Sequence, residues 1–342
     1  MIQLHLGTPA LILAPMEGVT DPSMRALLAE LGGFTFCVAE YLRISQAVPP
    51  PRAILAHVPE LALGGRCAAG LPVQVQLLGG DPARLAASAQ LAVELGARAI
   101  DLNFGCPART VNRHDGGAAL LRFPQRIFAI VTAVRAALPA AVPVSAKMRL
   151  GWEDPEDIHC NADMAAAAGA AWITIHGRTR LQGYRPPAYW GPIGQVRRRL
   201  AIPVVANGDI WTLDDLRRCQ DETGCCHLML GRGAVADPSL APRAAVALGL
   251  KAPSPSPSAA PDWPALLRRF IALTELHGRL RGLPGRLKQW GKMGHLQGTN
   301  GWYTEVRTLS TAAAILAVVE RLAVNGPQNT FSSSPLAAAT ST

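Results

Sequence analysis

The chain has 342 residues, 49% hydrophobic and 17% charged, which excludes a mainly disordered protein and leaves ample material for a core. Lys and Arg number 33 against 24 Asp and Glu, a formal charge of +9 that suggests a polyanionic partner without specifying one. Seven cysteines without a C-x-x-C pair argue against a disulfide framework and a Cys-type zinc site. No basic leader is read at the start, and no apolar run reaches the ~18 residues of a membrane span. A reducing, cytoplasmic setting is expected, with no metal and no membrane partner.

Short apolar runs recur along the first 250 residues: 10–14, 34–39, 73–77, 99–103, 144–149, 172–176, 204–207 and 227–230. Each is four to six residues long, rich in β-formers and bounded by turn residues. Helical spacing separates them. Asp81-Pro82 reads as an N-cap followed by Pro at the first helical position. Leu85, Ala89, Ala92 and Val93 then share a face, and Gly96 ends the helix. Asp21-Pro22 and Asp237-Pro238 carry the same start signal. Eight strands alternating with helices predict an α/β fold, a (β/α)8 TIM barrel over residues 1–250. A doubly wound open sheet is the rival, but no G-x-G-x-x-G follows the first strand. Residues 251–261 form a Pro/Ser linker, 262–325 read as a small C-terminal helical domain, and 326–342 as an uncharged disordered tail.

Barrel chemistry sits at the C-terminal ends of strands. Those ends carry Pro15-Met16-Glu17, Glu40 with Arg43, Gln76, Asp101 and Asn103, Lys147 and Arg149, His176, Asn207-Gly208-Asp209 and Gly231-Arg232. Unsatisfied polar groups inside apolar strands cost ~1–3 kcal/mol each, so this clustering points to a ligand. The last two stations suit a phosphate: glycines admit close backbone approach, and Arg232 supplies a bidentate donor. Lys147 either reaches solvent or neutralises a ligand anion, and the burial of its strand favours the second. His176 reads equally as a hydrogen-bonded core residue or a ligand contact. Cys106, between Gly105 and Pro107, lies on a loop facing this end. Its thiol reads as a nucleophile, a proton donor or a small buried group. Cys37 and Cys226, in apolar runs, read as buried small hydrophobes.

Leu13-Ala-Pro-Met-Glu-Gly-Val-Thr-Asp21, Val75-Gln-Leu-Leu-Gly79, Asp101-Leu-Asn-Phe-Gly-Cys-Pro107, Lys147-Met-Arg149, His176-Gly-Arg-Thr179 and Asn207-Gly-Asp209 together resemble the tRNA-dihydrouridine synthases. The matches keep their order over most of residues 10 to 310. Thr110-Val-Asn112, Gln182-Gly-Tyr-Arg185 and Lys288-Gln-Trp290 resemble the branch acting on uridine 16, DusC. The resemblance implies an FMN-bound barrel followed by a helical domain that grips tRNA, working as a monomer. It implies that Pro15, Met16 and Glu17 lie beside the flavin and that Gln76 and Lys147 contact its ring. Asn207, Gly208, Asp209, Gly231 and Arg232 would hold its phosphate, joined by His176. NADPH (or NADH) would reduce the flavin, hydride would pass to C6 of a uracil, and Cys106 would protonate C5 from the opposite face. Asn103 and Tyr184 are implied to touch the flipped nucleotide, and Arg43, Arg286, Lys288 and Arg307 to orient the tRNA.

Charge agrees: residues 262–325 carry nine Lys/Arg against four Asp/Glu. Two residues depart from the family pattern. Gly291, after Trp290, replaces an apolar residue and is expected to loosen its helix; Phe104 replaces a small or polar one. An FMN barrel acting on a free dihydropyrimidine-like molecule would need no basic helical domain. A non-catalytic RNA-binding protein would need no flavin.

Overall fold

The computed structural model describes residues 2–250 and 260–324; positions 251–259 of the predicted 251–261 linker, and the predicted tail, lie outside the described residues. Eight parallel strands form the barrel: β1 (Ala10–Leu13), β2 (Phe36–Val38), β3 (Val73–Leu78), β4 (Ile100–Phe104), β5 (Val144–Arg149), β6 (Ile173–His176), β7 (Val204–Asn207) and β8 (His227–Leu230). Each pairs with the next, and β8 pairs with β1, which closes the sheet. The open-sheet alternative is thereby excluded. A two-residue strand, Leu42–Arg43, extends the ladder beside Leu77 and Leu78 and was not foreseen.

Asp21 and Asp81 act as read from the sequence. Their carboxylates accept from the Met24 and Arg84 N–H groups and start the helices Pro22–Leu31 and Pro82–Glu94. Asp237 does not. Its carboxylate turns back to the Ser239 N–H and to Arg243, and the helix begins later, at Leu240. An Asp-Pro pair suits a local turn as well as a cap, and here the turn wins. Cys37 is fully buried, whereas Cys226 is only half-buried.

The C-terminal helices Trp263–Leu276, Leu283–Leu296 and Ala312–Val324 surround an aromatic cluster. Trp263 meets Trp290 and Trp302 edge-on at 5.3 and 5.5 Å, and Phe270 meets Trp290 at 5.4 Å. Trp290 also donates its indole N–H to the Val235 carbonyl at 2.7 Å, which fastens the cluster to the barrel. The expected loosening at Gly291 is absent. The helix is continuous, and a Cβ at 291 would stand 2.4 Å from the Trp302 ring, so the glycine makes room for that ring. Arg269 pairs with Glu30, and Arg286 donates to Asp21 and to the Val19 carbonyl. The helical segment is thus bound to the first βα unit.

His227 stands level with Ala10 and Val205 in the barrel, fully buried, with neither ring nitrogen hydrogen-bonded. Burial pushes its pKa down to about 4. The folded state therefore favours the neutral ring. Its contribution is fully present above the unfolded value near ~6.5 and is lost as pH falls from there toward about 4, a span of roughly 3 kcal/mol. Urea unfolding of the protein and of His227→Phe across that interval should show the substituted chain losing less stability with falling pH.

Candidate active site

Residues paired across a parallel sheet point to the same side, and two rows of the barrel are polar. Gln76, Asp101 and Ser145 are in register, as are Arg149, His176 and Asn207. In the lower row Ser145 donates to one Asp101 oxygen, and Gln76 Nε2 donates to the other at 2.6 Å. Gln76 Oε1 accepts from Asn103 Nδ2 at 2.8 Å, and Asn103 Oδ1 accepts the N–H groups of Gly105 and Cys106, each at 2.9 Å. The strand interior thus fixes the loop that bears Cys106.

Above these rows opens a cleft of about 600 Å³. Pro15, Met16 and Glu17 line it from the loop after β1, Asn103 and Cys106 from the end of β4, and Lys147 and His176 from β5 and β6. Asn207, Gly208, Asp209, Gly231 and Arg232 complete the far side, with Tyr184 at the rim. Phe104, the residue that departs from the family pattern, is buried at the end of β4 and paired with Met148. Gln76 does not reach the cleft; it is fully buried and spends its amide on Asp101 and Asn103.

Arg43, Arg286, Lys288 and Arg307 also lie outside the cleft. Arg43 is exposed and donates to the Thr110 carbonyl, beside the Cys106 loop. Lys288 donates to the Leu309 carbonyl, Arg307 is exposed, and Arg286 is engaged with the barrel as described.

The far side is cationic. Arg178, fully buried, pairs with Asp209, whose second oxygen lies 3.5 Å from Arg232. Asp209 adopts a left-handed backbone, φ 49°, and also accepts the Ala188 N–H. It aligns two guanidinium groups. Lys147 is enclosed and donates to Asn207 Oδ1 at 3.1 Å. Burial pushes its pKa down to about 8, opposed by Asp101. His176 is held well below its ordinary value by burial and by the surrounding Arg and Lys charges. It is neutral, and its Nδ1 has no partner.

The thiol side is different. Burial pushes Cys106 up, against the Ala108 N–H, the Tyr41 hydroxyl and Arg149, so the thiol stays protonated at neutral pH. A protonated thiol can serve as an acid.

Sequence reasoning missed Tyr41 and Met293, and it named Arg149 at its strand end without a role. Tyr41 lies 3.9 Å from Cys106 Sγ, and its hydroxyl donates to Glu17. Arg149 donates to the Gly105, Thr179 and Gly183 carbonyls and lies over the Tyr184 ring. Met293 reaches the cleft from the helical segment. Tyr41 follows a strand end and Arg149 closes β5, so their positions were visible; their partners were not. Among the described residues no cluster of potential ligands could hold a metal, and no helix is long and apolar enough to cross a membrane.

The family model for dihydrouridine synthase (Dus) matches residues 12–321. A tRNA-dihydrouridine(16) synthase of Ralstonia nicotianae is 44% identical over 321 residues, 91% of this chain and 95% of that protein. One of Pseudomonas putida is 45% identical over 278 residues, 81% and 85% of the two chains. The solved structure of histamine dehydrogenase from Rhizobium sp. 4-9 aligns with a TM-score of 0.53 at 14% identity, covering 77% of this chain and 49% of that one. That likeness is one of fold.

Asp209→Asn keeps the side-chain shape and the tolerance of a left-handed backbone but leaves buried Arg178 unpaired. Urea unfolding should show a loss of about 3–5 kcal/mol.

Proposed function

The chain belongs to the dihydrouridine synthase family, and on that footing we propose that it reduces a uridine of the tRNA D-loop, uridine 16, to 5,6-dihydrouridine. The observation that carries this reading is a protonated thiol facing the same cleft as a cationic, anion-seeking wall.

The chemistry of the donor set fits FMN. Lys147, Arg232 and the unpartnered Nδ1 of His176 offer charge and hydrogen bonds in a cleft that Pro15 and Met16 also line, with the Met16 sulfur beside Gly231. Asn207 to Asp209 and Gly231-Arg232 would hold the phosphate, and Lys147 would face the ring system with Gln76 behind it. FMN supplies the hydride when bound and reduced by NADPH (or NADH).

The protein does the rest. Asn103 holds the Cys106 loop, and Cys106 delivers a proton to C5 of the uracil. Tyr184, over Arg149 and Arg232, offers an exposed ring for the flipped nucleotide. Arg43, Lys288 and Arg307 orient the tRNA by its phosphates, while Arg286 holds the helices against the barrel. The seven free thiols among the described residues suit a cytoplasmic setting.

The test uses tRNA lacking dihydrouridine, incubated with protein, FMN and NADPH, followed by mapping of the modified position. Signal at uridine 16 is expected. Signal elsewhere in the D-loop would keep the reaction and overturn the position. No signal with FMN bound would favour a small-molecule substrate. Cys106→Ala should retain FMN and lose product formation by about 10²–10⁴-fold.

A further inference from the structure

Cys106 has to recover the proton it gives away. Its only side-chain hydrogen bond among the described residues joins Sγ to Tyr41 Oη at 3.9 Å. Tyr41 is half-buried, and its hydroxyl donates in turn to Glu17 Oε2. Glu17 is exposed at the mouth of the cleft. A continuous chain therefore runs from sulfur, through a phenol, to a carboxylate in contact with solvent.

The other polar neighbours do not offer such a route. Arg149 spends its N–H groups on backbone carbonyls, and a guanidinium does not release protons at working pH. Lys147 is bonded to Asn207.

We propose that Tyr41, held by Glu17, is the positioning residue of the Cys106 thiol and returns a proton to it after each reduction. The inference rests on the reading of Cys106 as the proton donor. When the S–H bond breaks and a C–H bond forms at C5, a thiolate remains. The Tyr41 O–H then turns to sulfur and its proton re-forms S–H. The Tyr41 phenolate takes a proton from solvent at the mouth of the cleft, and the restored O–H again donates to the Glu17 carboxylate. The net change is one proton from solvent to C5, with no electrons moved along the chain. A base lying in the cleft shields sulfur from bulk water, and Glu17 stays outside it.

The test is alkylation of Cys106 by iodoacetamide on the full-length protein, from about pH 7 to about pH 10, read on the Cys106 peptide by mass spectrometry. Tyr41→Phe removes a donor to the thiolate. It should raise the alkylation midpoint by about half a unit, roughly threefold slower reaction below it. Glu17→Gln removes a nearby negative charge and should lower the midpoint. Opposite shifts are the signature, since a merely structural role would not produce them. In turnover, Tyr41→Phe should lower kcat without raising KM for tRNA and should enlarge the solvent deuterium isotope effect on kcat. Coincident alkylation profiles, or shifts in one direction, overturn the positioning role. Shifted profiles with unchanged kcat and isotope effect overturn the proton return. If the unsubstituted protein forms no dihydrouridine, the functional reading fails, and the alkylation profiles still decide the Tyr41–Cys106 contact.

Discussion

The arrangement depends on one buried polar chain across the barrel. Asp101 is almost fully buried, and its carboxylate binds Ser145 and Gln76. Gln74 donates to Ser145, and Gln76 passes the chain to Asn103, which holds the N–H groups of Gly105 and Cys106. A carboxylate in this position would be costly alone, and burial does raise its pKa. Hydrogen bonds from Gln76 and Ser145 and the charge of Lys147 oppose that cost. The consequence reaches the surface. The Cys106 loop is not free to drift, because its backbone is bonded to a side chain rooted in the interior contacts of three strands.

The opposite wall carries more positive charge than its carboxylates balance. Lys147, Arg178 and Arg232 converge there with Asp209 as the acid placed among them, and Arg149 bridges back to the Gly105 carbonyl beside the thiol. The depressed values of Lys147 and His176 share this setting, though burial is the larger cause for each. Such a wall is poised for an anion. A bound phosphate would restore balance without disturbing the protein's own pairs, since Asp209 already fixes the directions of Arg178 and Arg232. Charge and geometry on this side, and a protonated thiol on the other, are what a proposed redox addition across a double bond needs: an anionic cofactor held on one face and an acid on the other.

Much of this was legible because a barrel obeys simple periodicities. Eight apolar runs ending in polar residues place Cys106, Lys147, His176 and Asn207 at one end of the barrel, where all four line the cleft. What could not be read were partners distant in sequence. Gln76 looks like a ligand contact by position, yet its amide is consumed inside the barrel. Gly291 looks like a helix breaker, yet its missing side chain is filled by Trp302, eleven residues away. Arg286 sits in a basic stretch and is implied to orient the tRNA, yet its guanidinium also reaches Asp21 and Val19. Local pattern fixes element type and strand ends; it does not say which of several long side chains finds a partner across the fold.

One loop joins these themes. The segment after β1 carries Glu17, Val19 and Asp21 within five residues. Glu17 holds Tyr41, which contacts the Cys106 thiol. Val19 and Asp21 receive the Arg286 guanidinium from the C-terminal helices, and Asp21 also caps the helix Pro22–Leu31. The helical segment, proposed to carry the tRNA, is therefore fastened to the same short stretch that bears Glu17, the partner of Tyr41. Docking of the helices and alignment of the thiol share a physical connection of two hydrogen-bonded ends and a short rigid turn. Arg286 and Glu17 thus meet one five-residue stretch of backbone, so the helical segment and the side chain that holds Tyr41 lean on the same turn.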